Sequence, residues 1–299
     1  MKVVVIMALY NRAHILRRVL DALGAQTRPP QQVVIVDDGS TDGSGDIARA
    51  WLDEVADRIP GKLRRVPNGG CGAARNRALE VADPDADAYH FLDSDDVVPP
   101  DLHARGVAAL EADPGVMGAS ADQRYETLDG TFLKERSHAG VEEDFARWLV
   151  IHDPGILSAS LVRRRVVDEF GPFPEGTVTG DDADVLFPAA GSPGARWAHL
   201  RGDPVIYGVL GDNITTPSGD MWVHWGHCHE RNYPRSGVSW RVRSKRLSHT
   251  WIRGGRQFLH EGNSAAARRC FLRSLRHRPW HFDAYRWWFR TFAQRKRSK

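Results

Sequence analysis

Residues 33–42 read VVIVDDGSTD, four β-branched apolar residues running straight into two aspartates. An unbroken apolar run of that length is what a strand buried on both faces of a parallel sheet requires. The reading extends outward in both directions. Val3 to Met7 is another continuous apolar run, and it leads to Tyr10-Asn11; Gly61 to Val66 follows as a third strand, and Tyr89 to Leu92 as a fourth, ending on Asp93-Ser94-Asp95-Asp96. Between them Asn11 to Ala25 carries Ile15, Val19, Leu20 and Leu23 at helical spacing and is closed by Arg28-Pro29-Pro30. Asp42 to Ala56 and Cys71 to Val81 read as the next two helices. Strands alternating with helices over short connections predict right-handed crossovers and a mainly parallel, doubly wound α/β sheet.

In an open sheet of this kind ligands collect at the carboxyl ends of the strands. Three of the four strands end in polar chemistry, so several carboxylates share one edge. Crowded carboxylates repel one another unless a cation or a hydrogen-bonding ligand sits among them. An acidic pair such as Asp37-Asp38 can also cap a helix; two such clusters on one edge favour a site. No GxGxxG follows the first strand, where Ala8-Leu9-Tyr10-Asn11-Arg12 stands, and no Walker A string occurs, which excludes the usual dinucleotide and P-loop modes. Oxygen-only ligands favour Mg²⁺ or Mn²⁺, and Mg²⁺ typically takes only one or two protein carboxylates.

The rest of the chain bounds the class. Its 299 residues are 41% hydrophobic and 26% charged, ordinary globular values that exclude disorder and coiled coil. Three cysteines and no CxxC suit a reducing, cytoplasmic setting. The N-terminal apolar run is too short for a membrane span or a signal core. Charge is unevenly placed: residues 221–299 hold 19 Lys and Arg against 3 Asp and Glu, whereas residues 1–220 hold 22 against 35. Eight of the ten tryptophans lie after residue 196. A division into residues 1–220 and a basic, Trp-rich helical region 221–299 follows, in which Gly254 to Arg278 has the look of one tetratricopeptide-like hairpin. Arg268 to Lys299, with Trp280, Trp287 and Trp288, is expected to form basic amphipathic helices touching an anionic membrane, on the inner face, or a partner. No nucleic-acid motif is present, and no nucleic-acid partner is expected.

VVIVDDGSTD (33–42), NGGCGAARNRAL (68–79) and FLDSDDVVPPD (91–101), followed by GPFPEG (171–176) and TGDDADVLF (179–187), together resemble family 2 glycosyltransferases of the GT-A fold over about the first 215 residues. The resemblance implies a Rossmann-like, mainly parallel sheet and an inverting, metal-dependent, DxD-type enzyme of polysaccharide biosynthesis. It implies a nucleoside-diphosphate sugar donor, UDP-linked, and a hydroxyl acceptor on a glycan, a lipid-linked glycan or a small molecule. By position, Tyr10 and Asn11 would lie against the nucleoside, Asp38 would accept from the base, and Asp93 would bind the ribose. Asn68, Gly72, Arg75 and Ser94 would serve nucleotide-sugar binding, with Arg75 facing the diphosphate or buttressing the acids; Asp95 would hold the Mg²⁺ or Mn²⁺, and Asp182 would be the catalytic base.

Such chemistry needs a cation against the leaving diphosphate and a carboxylate that takes the acceptor proton on the opposite face. The chain departs from the family pattern in several places. Asp181 stands where Glu is usual, Pro188 replaces an Arg and is expected to shorten its helix, and Tyr207-Gly208-Val209-Leu210 lacks the family His. These departures leave open a degenerate nucleotide- or glycan-binding scaffold, and a nucleotidyltransferase is disfavoured for want of a basic Gly-rich loop. His224, His227 and His229 could replace the missing His, or serve structure or acceptor; their spacing fits no standard zinc motif. Asp122 is one of several residues that could face an acceptor, and His14 and His152 read as ordinary positions.

Overall fold

In β1 (Val3–Leu9) of the computed structural model, which describes residues 1–152, 155–177, 179–210 and 218–293, the side chains split between two layers. Val3, Val5, Met7 and Leu9 enter one core, while Val4 and Ile6 enter the other. That is the period-two alternation of a strand covered on both sides. α1 (Ala13–Gly24), β2 (Gln32–Asp37), α2 (Ser44–Val55), β3 (Gly61–Arg65), α3 (Cys71–Leu79), β4 (Ala88–Phe91) and α4 (Leu102–Ala112) follow in strict alternation. Helices α1, α2 and α4 pack their apolar faces, among them Leu16, Leu20, Trp51 and Leu110, into the first core. Helix α3 packs Ala74 and Ala78 into the second.

The second half departs from that rhythm. β5 (Gly118–Thr127) and β6 (Phe132–Arg136) form a hairpin, α5 (Phe145–His152) follows, and β7 (Ser160–Arg163) runs directly into α6 (Arg164–Phe170); then come α7 (Asp181–Gly191) and β8 (Trp197–Val209). The sheet order is β3-β2-β1-β4-β7-β5-β6, with β8 on β5. β1, β2, β3 and β4 are mutually parallel neighbours and β8 is parallel to β5, whereas β7 opposes β4 and β5, and β6 opposes β5. Only the β5–β6 pair is a simple hairpin; β7 runs antiparallel to β4 and β5 although helices separate it from both in sequence, a pattern the first hundred residues do not announce. Pro188 does not shorten its helix: α7 runs through it to Gly191. Phe187, Ala189 and Ala190 are buried on either side of the proline, and that packing outweighs the missing backbone donor.

Residues 218–293 are mainly helical: α8 (Gly219–Asn232), α9 (Trp240–His260), α10 (Ser264–His277) and α11 (Phe282–Ala293). α8, the turn after it and the start of α9 belong to the second core through Cys228, Tyr233 and Leu247 respectively. The remainder of α9 forms a third core with α10 and α11, built on Trp251, Phe258, Ala267, Cys270, Phe271 and Ala284. α9 and α10 make a hairpin whose turn uses Gly262 at φ +80° and Asn263 as the cap of α10, accepting from Ala266 N. Gly255 admits the Phe271 ring, which would lie 2.4 Å from a Cβ there. Glu230 of α8 ties the layers together, accepting from Trp251 Nε1, from Arg273 at Nε and Nη2, and pairing with His277 Nε2. No helix among the described residues is long and apolar enough to cross a membrane.

Candidate active site

A cleft of about 530 Å³ opens at the carboxyl ends of β1, β2 and β4. Its lining includes Tyr10, Asn11, Asp38, Asn68, Arg75, Asp93, Ser94, Asp95 and Asp182, drawn from five separate stretches of chain. Gly72 alone among the expected site residues is not in that lining. It sits in the first turn of α3, where a Cβ would fall 2.2 Å from the Pro174 carbonyl oxygen, so the close approach it permits is to the chain itself.

Each strand end is fixed by its neighbours. Asn11, at φ 47°, takes the left-handed conformation that Asn tolerates best after Gly; its Oδ1 accepts from Thr41 N and its N–H donates to Ser40 Oγ. Neither acid of Asp37-Asp38 caps a helix, since α2 starts at Ser44. Asp37 accepts from Ser40 N instead, and the buried Asp38 accepts from Gly69 N at 2.9 Å and Gly70 N at 2.8 Å. Asp38 thereby holds the 68–70 loop shut over the cleft, with Asn68 Nδ2 donating back to its carbonyl.

The loop after β4 is held by a two-way backbone bridge between Val97 and Ile206 of β8. Gly208 lies beside it, where a Cβ would meet the Asp95 carbonyl at 2.4 Å, and its N–H donates to Asp96. Gly208, one of the departures noted above, is therefore what lets β8 press the acidic loop into place. Arg12 Nε donates to Asp95 Oδ2 at 3.2 Å. Burial, then the neighbouring Asp93 carboxylate, push Asp95 up to about 6 against the pull of Arg12. Arg75, itself buried, donates to Asp93 at 2.8 Å and to Asp181 at 2.5 Å, and stands 5.4 Å from the centre of the Phe173 ring.

Asp181 and Asp182 thus differ sharply although adjacent. Gly180, at φ +80°, is the N-cap of α7, so Asp182 is no cap but a first-turn residue. Burial and the Asp181 charge push Asp182 up to about 7, with Arg75 pulling the other way. A carboxylate poised near neutrality inside a cleft is suited to taking a proton.

The cleft lining holds six aspartates (38, 93, 95, 96, 181 and 182) and two arginines (12 and 75). A polyanionic ligand is repelled by such a surface unless a cation accompanies it. Asp95 with Asp93 beside it offers the sparse oxygen donors that suit Mg²⁺ or Mn²⁺; no set of three His, Cys, Asp or Glu among the described residues forms a protein-only cage.

Arg12, Asp181, Asp96, Tyr207 and Trp225 also line the cleft and were given no site role from sequence. Arg12 directly follows the Tyr10-Asn11 pair, and Trp225 sits inside the histidine string, so a signal existed for both. The histidines themselves scatter: His224 and His227 are exposed, His227 lies 3.6 Å from Glu230, and His229 stacks on Tyr233 at 4.5 Å. None of the three lines the cleft. Asp122 is absorbed by His138 N, Ser137 Oγ and His199 Nε2, also away from it. His14 is exposed and His152 stacks on Trp148. Gly211-Asp212-Asn213, next in sequence after Leu210, lie outside the described residues.

Residues 4–171 match the family model described as Glycosyl transferase family 2. The succinoglycan biosynthesis protein ExoW of Rhizobium meliloti (strain 1021) is 40% identical over 101 residues, 33% of this chain and 31% of that protein. The matched stretch spans about a third of such curated relatives. In three dimensions the chain is similar to S. aureus TarS 1-349 in complex with UDP-GlcNAc, at TM-score 0.65 and 17% identity over 93% of this chain and 81% of that one. It is also similar to the mannosyltransferase PcManGT of Pyrobaculum calidifontis in complex with GDP-Man and Mn²⁺, at TM-score 0.59 and 22% identity over 91% and 74%. With its sheet, its acid-lined cleft and a family match across more than half its length, the chain belongs to glycosyl transferase family 2 and has the GT-A fold.

Proposed function

We propose that this glycosyltransferase is inverting and metal-dependent, moving a sugar from a UDP-linked donor to a hydroxyl of a glycan or lipid-linked acceptor. The observation that carries the reading is the meeting of Asp38, Asp95 and Asp182, from widely separated stretches, around one cleft. Tyr10, half exposed, presents a ring on which the base stacks, and Asp38 lines the same cleft with lone pairs left beyond those that accept from Gly69 and Gly70. Asp93, oriented by Arg75, faces the ribose hydroxyls. Asp95 would hold the divalent cation, which when bound stabilises charge on the leaving diphosphate as a Lewis acid. Asp182 accepts the proton of the acceptor hydroxyl as its oxygen bonds to the anomeric carbon, and the bond to the donor phosphate oxygen breaks with its electron pair. A single displacement inverts the anomeric centre. Arg75 holds Asp181 in an ion pair and leaves Asp182 as the proton acceptor.

The test is thermal stabilisation by nucleoside diphosphates with Mn²⁺. A ligand at 100 times its Kd adds about 2.7 kcal/mol, roughly 4 °C for a chain of this size. UDP is expected to give the largest shift and Asp95→Asn to remove the Mn²⁺-dependent part. Equal shifts with and without Mn²⁺ in wild type would refute the metal assignment.

The membrane surface belongs to the same reading. α11 exposes Phe282, Tyr285, Phe289 and Phe292, which share one face at helical spacing, and Trp280 precedes them, 72% exposed. Arg268 stacks over Phe292 and Arg290 over Trp287. An aromatic face rimmed by arginines suits the headgroup region of an anionic bilayer on the cytoplasmic side. The basic run Arg295-Lys296-Arg297 continues in sequence, outside the described residues.

A further inference from the structure

The wall of the cleft formed by β5 and β8 continues outward as a row of side chains across three strands. Tyr207 and Gln123 line the cleft. The register sets Tyr125 opposite Tyr207 on β8 and opposite Lys134 on β6, and Gln123 opposite Arg136. Directly paired residues point to the same face of a sheet, and the contacts follow. The Tyr125 and Tyr207 rings lie 4.7 Å apart at 33°, Lys134 Nζ stands 4.2 Å from the centre of the Tyr125 ring, and Arg136 Cζ is 5.9 Å from it. A guanidinium nitrogen of Arg136 comes within 4.0 Å of the position of a Cβ on Gly155, another cleft-lining residue, whose carbonyl accepts from Gln123 Nε2.

The cations of this row have no carboxylate of their own among the described residues. Glu135 alternates to the other face of β6, opposite Arg124. Arg253 of α9 adds a third positive charge, its guanidinium stacked 5.4 Å from the Trp222 ring, one turn of α8 before the cleft-lining Trp225. Burial, together with the proximity of Arg136 and Arg253, lowers the Lys134 ammonium from its usual range. Three cations that crowd one another beside aromatic rings form a surface that gains from an incoming anion. The six aspartates belong to the cleft lining, whereas these cations stand beyond it, past Gln123, Gly155 and Tyr207, on a surface suited to negative charge.

We propose that Lys134, Arg136 and Arg253 recognise an oxyanion, phosphate or carboxylate, carried by the acceptor next to the sugar that receives the new linkage, with Tyr207 and Trp225 stacking on the sugar. This rests on the transferase reading, which supplies the acceptor that the row would recognise. Isothermal titration of the full chain with methyl glucoside, methyl glucoside 6-phosphate and methyl glucuronide tests it. At 50 mM salt the anionic glycosides are expected to bind about tenfold more tightly than the neutral one, with the preference shrinking at 300 mM. Lys134→Gln/Arg136→Gln is expected to lose that preference and leave the neutral glycoside unchanged. A stronger response to the 6-phosphate assigns a phosphate-bearing acceptor, a stronger response to the glucuronide an acidic glycan. Equal binding of all three, no binding of any, or a preference surviving in the variant overturns the proposal. UDP stabilisation with Mn²⁺ is measured on the same samples. Its absence alongside an intact anion preference sinks the donor reading alone, and its presence without the preference sinks only the acceptor assignment.

Discussion

Arg75→Met is the sharpest test of how the acidic cleft is held together. Methionine keeps most of the aliphatic contact with Phe173 but removes the guanidinium that reaches both Asp93 and Asp181. The two partners do not count equally. The Asp93 side chain is 39% exposed, so solvent screens its pair with Arg75 and little is lost there. The Asp181 side chain is 13% exposed and that of Arg75 7%, a pair sheltered from water, and removing one partner of such a pair costs about 3 kcal/mol, the lower end of the usual range. With an unfolding entropy of about 0.6 kcal/mol/K for a chain of this length, a single transition should move down by about 5 °C. Scanning calorimetry reads this directly, and Arg75→Met/Asp181→Asn should recover most of it, since the stranded charge is then gone. Arg75 also pulls Asp182 down, so its loss should carry the pH dependence of turnover upward. A single variant melting within 1 °C of wild type, or a double variant as unstable as the single, would refute the argument.

Three further outcomes follow from other parts of the molecule. With Asp182 pushed up to about 7, kcat/KM should rise with unit slope below that pH and level off above it, whereas Asp182→Asn should be flat and about 100- to 10,000-fold slower; a plateau already reached at pH 5 would exclude Asp182 as the base. Burial alone would raise Glu230, but hydrogen bonds from His277 and Arg273 bring it down to about 2 from 4.5. Its stabilising contribution is therefore complete above 4.5 and lost as pH falls through about 2. Denaturant titration of Glu230→Gln should show a deficit of roughly 3 kcal/mol at pH 7 that closes in acid, and a deficit independent of pH would contradict it. Flotation with vesicles should improve at least tenfold as anionic lipid rises from none to a third, and Phe282→Ser/Phe289→Ser should abolish it; indifference to lipid charge would remove the membrane role of α11.

The first hundred residues were legible because their physics is local. An unbroken β-branched run such as Val33–Val36 has few alternatives to a buried strand, and a strand that stops on Asp-Asp announces where its chemistry lies. Asp182, by contrast, was named only by the family resemblance, and the residue that distinguishes it from Asp181 is Arg75, more than a hundred positions away. Gly72 was misjudged because a glycine signals close approach without saying to what; here the neighbour is Pro174. Pro188 was misjudged because helix propensity is a weak local preference that burial of Phe187 and Ala189 overrides. The β5–β8 wall left no mark at all in sequence, since Tyr125, Lys134 and Tyr207 meet only through strand register.

The charge arrangement also bears on how the leaving diphosphate is met. A cleft can stabilise developing phosphate charge with its own arginines and lysines, or it can import a cation. Here both arginines in the lining are already committed, Arg75 to Asp93 and Asp181, and Arg12 to Asp95. Turning either toward a diphosphate would strand a carboxylate that it now compensates, replacing one repulsion by another. No lysine or histidine is present in the lining to take the place. Importing a divalent cation has the opposite effect: it relieves the crowding around Asp95, which burial and Asp93 already push toward protonation, and it brings the positive charge that a diphosphate needs. On the proposed reading the six aspartates are a site that a cation would complete rather than a fixed obstacle to anions, and this is the physical argument for metal-dependent transfer over a mechanism resting on protein cations alone.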